Sequence, residues 1–139
     1  MKILIAGLGS IGQRHAKNLL KLGYKDIIFF SKRKDLNKTN IFKKIKIFNK
    51  LNLALKQKPN IALICNPTEL HFKTAMRCAK EKCNLFIEKP IGYKKKEILS
   101  LKKKNKKKRI INMIGYMMRF HPAINKIKYF HLIRNNFNY

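Results

Sequence analysis

Acidic residues are scarce in this chain of 139 residues: six Asp and Glu stand against 34 Lys and Arg, a formal net charge of +28. A charge of one sign has two explanations, a polyanionic partner or a compositional bias toward Lys, Asn and Ile laid over a globular fold. Position separates them. The densest block, Lys94 to Arg109, carries ten basic residues and one Glu, a net of +9, and leaves 19 of the 28 charges spread along the rest of the chain. A dedicated nucleic-acid arm concentrates its charge, so the spread favours a basic surface on an ordinary fold. Cysteine is also rare. Cys65, Cys78 and Cys83 are odd in number and form no CxxC pair, which excludes a disulfide framework and a zinc site and fits reduced thiols in the cytoplasm. No uncharged apolar run approaches the ~18 residues that a membrane-spanning helix needs. Ile3 to Leu8 mimics the start of a signal peptide, but the run is too short and no cleavage-like site precedes Arg14. No solenoid-type repeat occurs. The only low-complexity stretch is Lys94 to Lys108.

What is present is an alternation of short apolar runs and helical spacings. Lys2 to Ala6 reads as a buried strand, Asp26 to Ser31 as a second, Ile45 to Phe48 as a weaker third, and Ile61 to Cys65, Asn84 to Glu88 and Arg109 to Tyr116 as three more. Between them, Ile11, His15, Leu19 and Leu22 recur at helical spacing up to Gly23, and Leu51 to Gln57 forms a short helix. Leu70, Thr74, Ala75, Cys78 and Ala79 share one helical face, and Glu97 to Lys104 form a Lys-rich helix. Lys32 to Asn40 reads as loop, and a last helix follows Pro122 with Ala123, Ile127 and Phe130 on one side. Continuous apolar strands alternating with helices predict an α/β fold, a single domain with a doubly wound parallel sheet covered on both faces. Right-handed crossovers then bring every strand's carboxyl end to one edge, where ligands bind.

Four clusters fall on that edge. Gly7-Leu8-Gly9-Ser10-Ile11-Gly12 follows a strand and opens a helix, the context a dinucleotide-binding turn requires. Gly7 permits the tight turn, Gly9 lets backbone approach a pyrophosphate, and Gly12 lets helix and strand pack closely. The helix start at Ser10 and Ile11 then offers backbone N–H groups to the anion. Where an NAD site usually has Asp or Glu, about 20 residues past the glycines, this chain has Phe30-Ser31-Lys32-Arg33. A hydroxyl and a guanidinium there suit a 2′-phosphate, so Ser31 and Arg33 favour NADP over NAD. Asn66-Pro67-Thr68, with His71 one turn on, sits at the mouth of the fourth strand, where Thr68 is expected to N-cap the next helix and the group to contact the cofactor as well. Glu88-Lys89-Pro90 closes the fifth strand, and Pro90 holds Lys89 extended toward the ligand crevice.

GLGSIGQRH (Gly7 to His15), NPTELH (Asn66 to His71), EKP (Glu88 to Pro90) and GYMMRFHPA (Gly115 to Ala123), in this order and spacing, make the chain resemble the amino-terminal Rossmann domain of the Gfo/Idh/MocA oxidoreductases. The resemblance covers nearly the whole chain. It implies hydride transfer between NAD or NADP and a hydroxyl carbon of a sugar, cyclitol or nucleotide-sugar. It implies that Lys89 is catalytic, hydrogen-bonding the alcohol oxygen beside the nicotinamide, with Glu88 helping to position it, and that Arg119 lines the crevice near the cofactor. Residues 1–120 would form the NAD(P)-binding domain and residues 121–139 a truncated connection toward a substrate domain. Family members are usually more than twice this long, and their second domain supplies the substrate pocket, the oligomer interface and a further catalytic His or Asp. The expectation is therefore half an enzyme: a fragment, a truncated frame, or a solitary module that self-associates or meets a separately encoded substrate domain. A non-catalytic dinucleotide-binding or interaction module and a polybasic nucleic-acid binder are the alternatives.

Binding of the chain to duplex DNA is expected to collapse between low and physiological salt, as counterion release dictates for contacts made only to phosphate. Sequence-selective binding that survives physiological salt would favour the nucleic-acid reading.

Overall fold

The computed structural model describes residues 1–32 and 44–136. Strands β1 (Ile3–Ala6), β2 (Ile27–Phe30), β3 (Lys46–Phe48), β4 (Ile61–Ile64), β5 (Asn84–Ile87) and β6 (Asn112–Ile114) form one sheet in the order β3-β2-β1-β4-β5-β6. Every pairing is parallel, with Ile3 opposite both Ile27 and Ile61. Helices α1 (Ser10–Lys21), α2 (Leu51–Leu55), α3 (Thr68–Lys80) and α4 (Lys95–Lys108) make the connections, and a 3-10 turn (Met117–Phe120) leads into α5 (Pro122–Asn136). The strand order reverses between β1 and β4, which opens a crevice at their carboxyl ends.

The pleat sorts the apolar runs into two layers. Leu4, Ile28, Ala62, Ile64, Leu85 and Ile87 face α2, α3 and α4, meeting Leu51, Leu55, Ala75, Cys78, Ala79 and Leu101. Ile3, Ile5, Ile27, Phe29 and Leu63 face α1, meeting Leu8 and Ala16. Burial on both faces is why these strands carry no polar alternation.

Several elements differ from the sequence reading, each for a local reason. The buried face of α3 contains His71, Thr74, Ala75, Cys78 and Ala79, while Leu70 is exposed. One residue is 100° of helix, enough to turn Leu70 out of the layer and bring His71 in. Thr68 does not cap α3: Pro67 occupies the cap position and makes no side-chain capping bond, and Thr68 is the first helical residue. Proline's fixed φ starts the turn one residue early, and Leu70 N–H bonds to the Pro67 carbonyl at 2.8 Å. Helix α4 outruns the expected Glu97 to Lys104, because lysines are good helix formers. It stops where Arg109 turns left-handed (φ 54°), which shortens β6 from the expected Arg109–Tyr116 span to three residues. The loop expected over Lys32 to Asn40 lies, from Arg33 onward, outside the described residues. Beyond β6 the chain bares apolar groups: Tyr116, Met117, Met118, Phe120, Ile127, Tyr129 and Phe130 are all exposed. Among the described residues no helix is long and apolar enough to cross a membrane.

Phe29 is fully buried at the centre of β2, between Ile5 of β1 and Ile47 of β3. Phe29→Ala is expected to lower the unfolding free energy by about 3–5 kcal/mol, read from urea denaturation. A change below about 1 kcal/mol would contradict the two-layer packing.

Candidate functional site

The site begins at the turn after β1. Gly7 has a positive φ of 113°, and a Cβ there would lie 2.6 Å from the Asn66 nitrogen and from the Cys65 carbonyl carbon. Only glycine satisfies both constraints. A Cβ on Gly12 would overlap the Gly7 carbonyl, so α1 seats directly on the turn. Gly9 differs: a Cβ there meets no atom within 4 Å, because its open side faces the cleft. Helix α1 starts at Ser10 with Gly9 as its cap, with no side-chain capping bond and no acidic residue in its first turn. The N–H groups at this positive helix end are thus left for an anion.

The cleft in front of α1 measures about 800 Å³. Gly7, Gly9, Ser10, Ile11, Ser31, Asn66 and Pro67 all line it, so the structure gathers these sequence-predicted residues in one place. Leu8, Leu51 and Leu70 supply apolar wall; Lys32, Lys50, Lys73 and Arg77 supply cations, and among the described residues no carboxylate lines it. Ser31 is buried and its N–H bonds to the Phe48 carbonyl at 3.0 Å. Arg33 lies outside the described residues. Asn66 Nδ2 donates to Thr74 Oγ1 at 2.8 Å, while Asn66 Oδ1 is buried without a hydrogen-bond partner. A dinucleotide fits this donor set: an open glycine, free helix N–H groups, apolar walls, and an acceptor still short of a donor.

A second group stands at the end of β5. Glu88 is buried, and its Oε1 accepts a hydrogen bond from His15 Nε2 on α1 at 2.6 Å. The His15 ring meets Phe86 edge-on at 5.3 Å. A Cβ on Gly115 would approach Glu88 Oε2 and the Phe86 ring to 3.2 Å, so the backbone just after β6 crowds the same carboxylate. Lys89 is exposed at the strand's carboxyl end, and the Lys89–Pro90 peptide is cis. His71 is buried, its Nδ1 2.8 Å from the Pro90 carbonyl and its Nε2 2.7 Å from the Asn66 carbonyl, which joins the two groups. Thr68 is half-buried at the start of α3, outside the cleft lining. Arg119 is exposed on the 3-10 turn, its guanidinium 5.7 Å from the Phe120 ring, and is not among the residues that line the cleft. Burial first, and then the negative charge of Glu88, push the Cys65 thiol up to about 12, so it stays protonated and is no nucleophile.

Sequence reasoning missed His15 as the partner of Glu88, since the two lie 73 residues apart and no spacing links them. It also missed Lys50, Lys73 and Arg77, three cations without distinction in a Lys-rich chain.

The glycines make separable predictions. Gly9→Val is expected to keep a native circular dichroism spectrum and lose dinucleotide binding. Gly7→Val is expected to cost at least about 1–3 kcal/mol of stability, read from denaturant melts. Retained binding in Gly9→Val would mean that the cleft is not the site.

Residues 1–116 match a family model described as an oxidoreductase family with an NAD-binding Rossmann fold. A myo-inositol 2-dehydrogenase of Thermotoga maritima is 28% identical over 132 residues, which covers 92% of this chain and 40% of that relative. A 4-carboxy-2-hydroxymuconate-6-semialdehyde dehydrogenase of Sphingobium is 24% identical, covering 88% of this chain and 40% of that one. Among solved structures, a probable dehydrogenase from Thermotoga maritima superposes with a TM-score of 0.81 at 27% identity, over 97% of this chain and 41% of its own. A myo-inositol 2-dehydrogenase from Lactobacillus plantarum does so with a TM-score of 0.82 at 22% identity, over 97% and 41%. This chain spans about two-fifths of the length of the curated relatives it matches. With the sheet order, the glycine turn and the family match in agreement, the chain belongs to the Gfo/Idh/MocA oxidoreductases and carries their NAD-binding Rossmann fold.

Proposed function

We propose that the chain is the cofactor-binding part of a dehydrogenase acting on a CH–OH group of a sugar, cyclitol or nucleotide-sugar, and that it prefers NADP. The observation that carries this reading is the cleft itself, which opens at Gly9, ends on the bare start of α1 and, among the described residues, holds cations without a carboxylate. The backbone N–H groups of Ser10 and Ile11 would hold the pyrophosphate. Ser31 and Arg33 would hold a 2′-phosphate, and Lys32 and Lys50 of the cleft lining would add positive charge. Asn66, Pro67 and Thr68 would flank the cofactor along the mouth of β4, with His71 behind them, and Arg119 would close the nicotinamide end. The bound nicotinamide supplies the hydride acceptor. Lys89 Nζ would hydrogen-bond the substrate alcohol and aid proton movement as the hydride leaves, and Glu88, held by His15, would fix the backbone from which Lys89 projects. The myo-inositol 2-dehydrogenase named among the relatives supports the substrate class. Three free cysteines support a reducing, cytoplasmic setting.

Positioning a substrate against the cofactor supplies much of a dehydrogenase's rate, and this fold forms one wall of the crevice. The exposed apolar groups from Tyr116 to Phe130 favour a cover, either a substrate domain or a second copy of the chain. The 139-residue chain alone is thus expected to bind cofactor and give no turnover with sugars, cyclitols or nucleotide-sugars. Substrate-dependent reduction of NADP by the chain alone, abolished in Lys89→Ala, would contradict this. For the cofactor, Arg33→Ala is expected to weaken NADPH binding at least about tenfold in calorimetry, the value of one charged hydrogen bond, and to leave NADH nearly unchanged. Equal loss for both would remove the 2′-phosphate argument.

A further inference from the structure

Glu88, Lys89 and Pro90 are gripped on both sides of the lysine by histidines from opposite faces of the sheet. The pleat of β5 sends Leu85 and Ile87 into the layer of α3 and α4, and Phe86 into the layer of α1. Glu88, two residues past Phe86, continues on the α1 side, where His15 Nε2 holds its Oε1 at 2.6 Å. From the other face, α3 delivers His71, only 2% exposed. Its Nδ1 lies 2.8 Å from the Pro90 carbonyl and its Nε2 2.7 Å from the Asn66 carbonyl. A carbonyl oxygen has no hydrogen to give, so each of these bonds takes an N–H from the ring; the imidazolium makes both and a neutral ring keeps one. Lys89 alone of the three has neither its side chain nor its carbonyl in these bonds, and its side chain is exposed.

The grips also close a circuit. Asn66, held by His71, is the residue whose nitrogen leaves Gly7 no room for a side chain, and His15 stands on the helix that the same glycine turn begins. The lysine's backbone is thereby referred to the cleft through two independent routes, α1 on one face and the Asn66 loop on the other.

We propose that His15 and His71 are positioning residues for Lys89, His15 acting through the Glu88 carboxylate and His71 through the Pro90 carbonyl, and that together they hold the lysine in register with the dinucleotide cleft. Both ring nitrogens of His71 face protein carbonyls, so it would act on the site without touching the ligand. The inference rests on the reading of Lys89 as the residue that works at the nicotinamide end.

The test uses the full chain and two readouts. The first is hydrogen–deuterium exchange of the amides in 88–92, compared with those of β1 and β4. His15→Ala and His71→Ala are each expected to speed exchange in 88–92 roughly tenfold, the loss of about one hydrogen bond, with β1 and β4 unchanged. His71→Gln keeps the volume and one donor should the alanine variant fail to fold, and is expected to show the same effect in weaker form. His15→Gln, whose amide donates to the same carboxylate, is expected to recover at least part of the protection. The second readout is calorimetric affinity for NADPH against 2′,5′-ADP, a fragment with no nicotinamide. Both alanine variants are expected to lose affinity for NADPH several-fold and to keep it for the fragment, a split that general destabilisation does not produce. Unchanged exchange in 88–92, or equal loss for both ligands, would overturn the proposal. Failure of the wild-type chain to bind NADPH would overturn the cofactor reading instead, and the exchange comparison would still decide whether the histidines hold the segment.

Discussion

The close approach of the Gly7 turn to the Cys65–Asn66 backbone fixes the geometry of this molecule. A Cβ at Gly7 would stand 2.6 Å from both Cys65 and Asn66 backbone atoms. Two neighbouring parallel strands, β1 and β4, can therefore end side by side with their following segments in contact. From that contact α1 departs to one face and α3 to the other. The crevice of a doubly wound sheet lies where the strand order reverses, and here that place is the gap these two segments leave. A side chain at Gly7 would push the Asn66 loop away, and with it the carbonyl that His71 holds.

The rest of the fold carries that contact at modest cost. The two apolar layers are built from continuous runs that need no polar alternation, because helices cover both faces. The excess of lysine stays outside: among the described residues the buried polar or charged groups are Ser31, His71, Thr74, Glu88 and Asn105, and no lysine is buried. A solvated basic surface with few carboxylates raises self-repulsion without disturbing the core. Among the described residues the cations of the cleft meet no acidic neighbour within its lining.

Much of this was legible in the residues. Strands announce themselves as short apolar runs, and the glycine turn is readable because its spacing matches a backbone requirement that each glycine meets differently: Gly7 by its positive φ, Gly12 by contact with the Gly7 carbonyl, Gly9 by open space. Other features were not legible, for reasons of geometry. The choice between Leu70 and His71 for the buried face of α3 depends on where the helix begins, and Pro67 moved that start by one residue. The length of β6 depends on Arg109 adopting a left-handed conformation, for which arginine carries no signal. The pairing of His15 with Glu88 spans 73 residues and exists only once β5 and α1 are placed on the same face. The cleft cations Lys50, Lys73 and Arg77 were hidden by their own abundance in the sequence.

On the proposed reading, one cofactor runs along the carboxyl edge of the sheet from the cations near β2 to Lys89 at β5. A crystal structure of the chain with NADPH tests it most directly. Pyrophosphate density is expected against the first-turn N–H groups of α1, the 2′-phosphate beside Ser31, and the nicotinamide within reach of Lys89. A cofactor bound elsewhere, or one whose nicotinamide turns away from the Glu88–Pro90 segment, would contradict it.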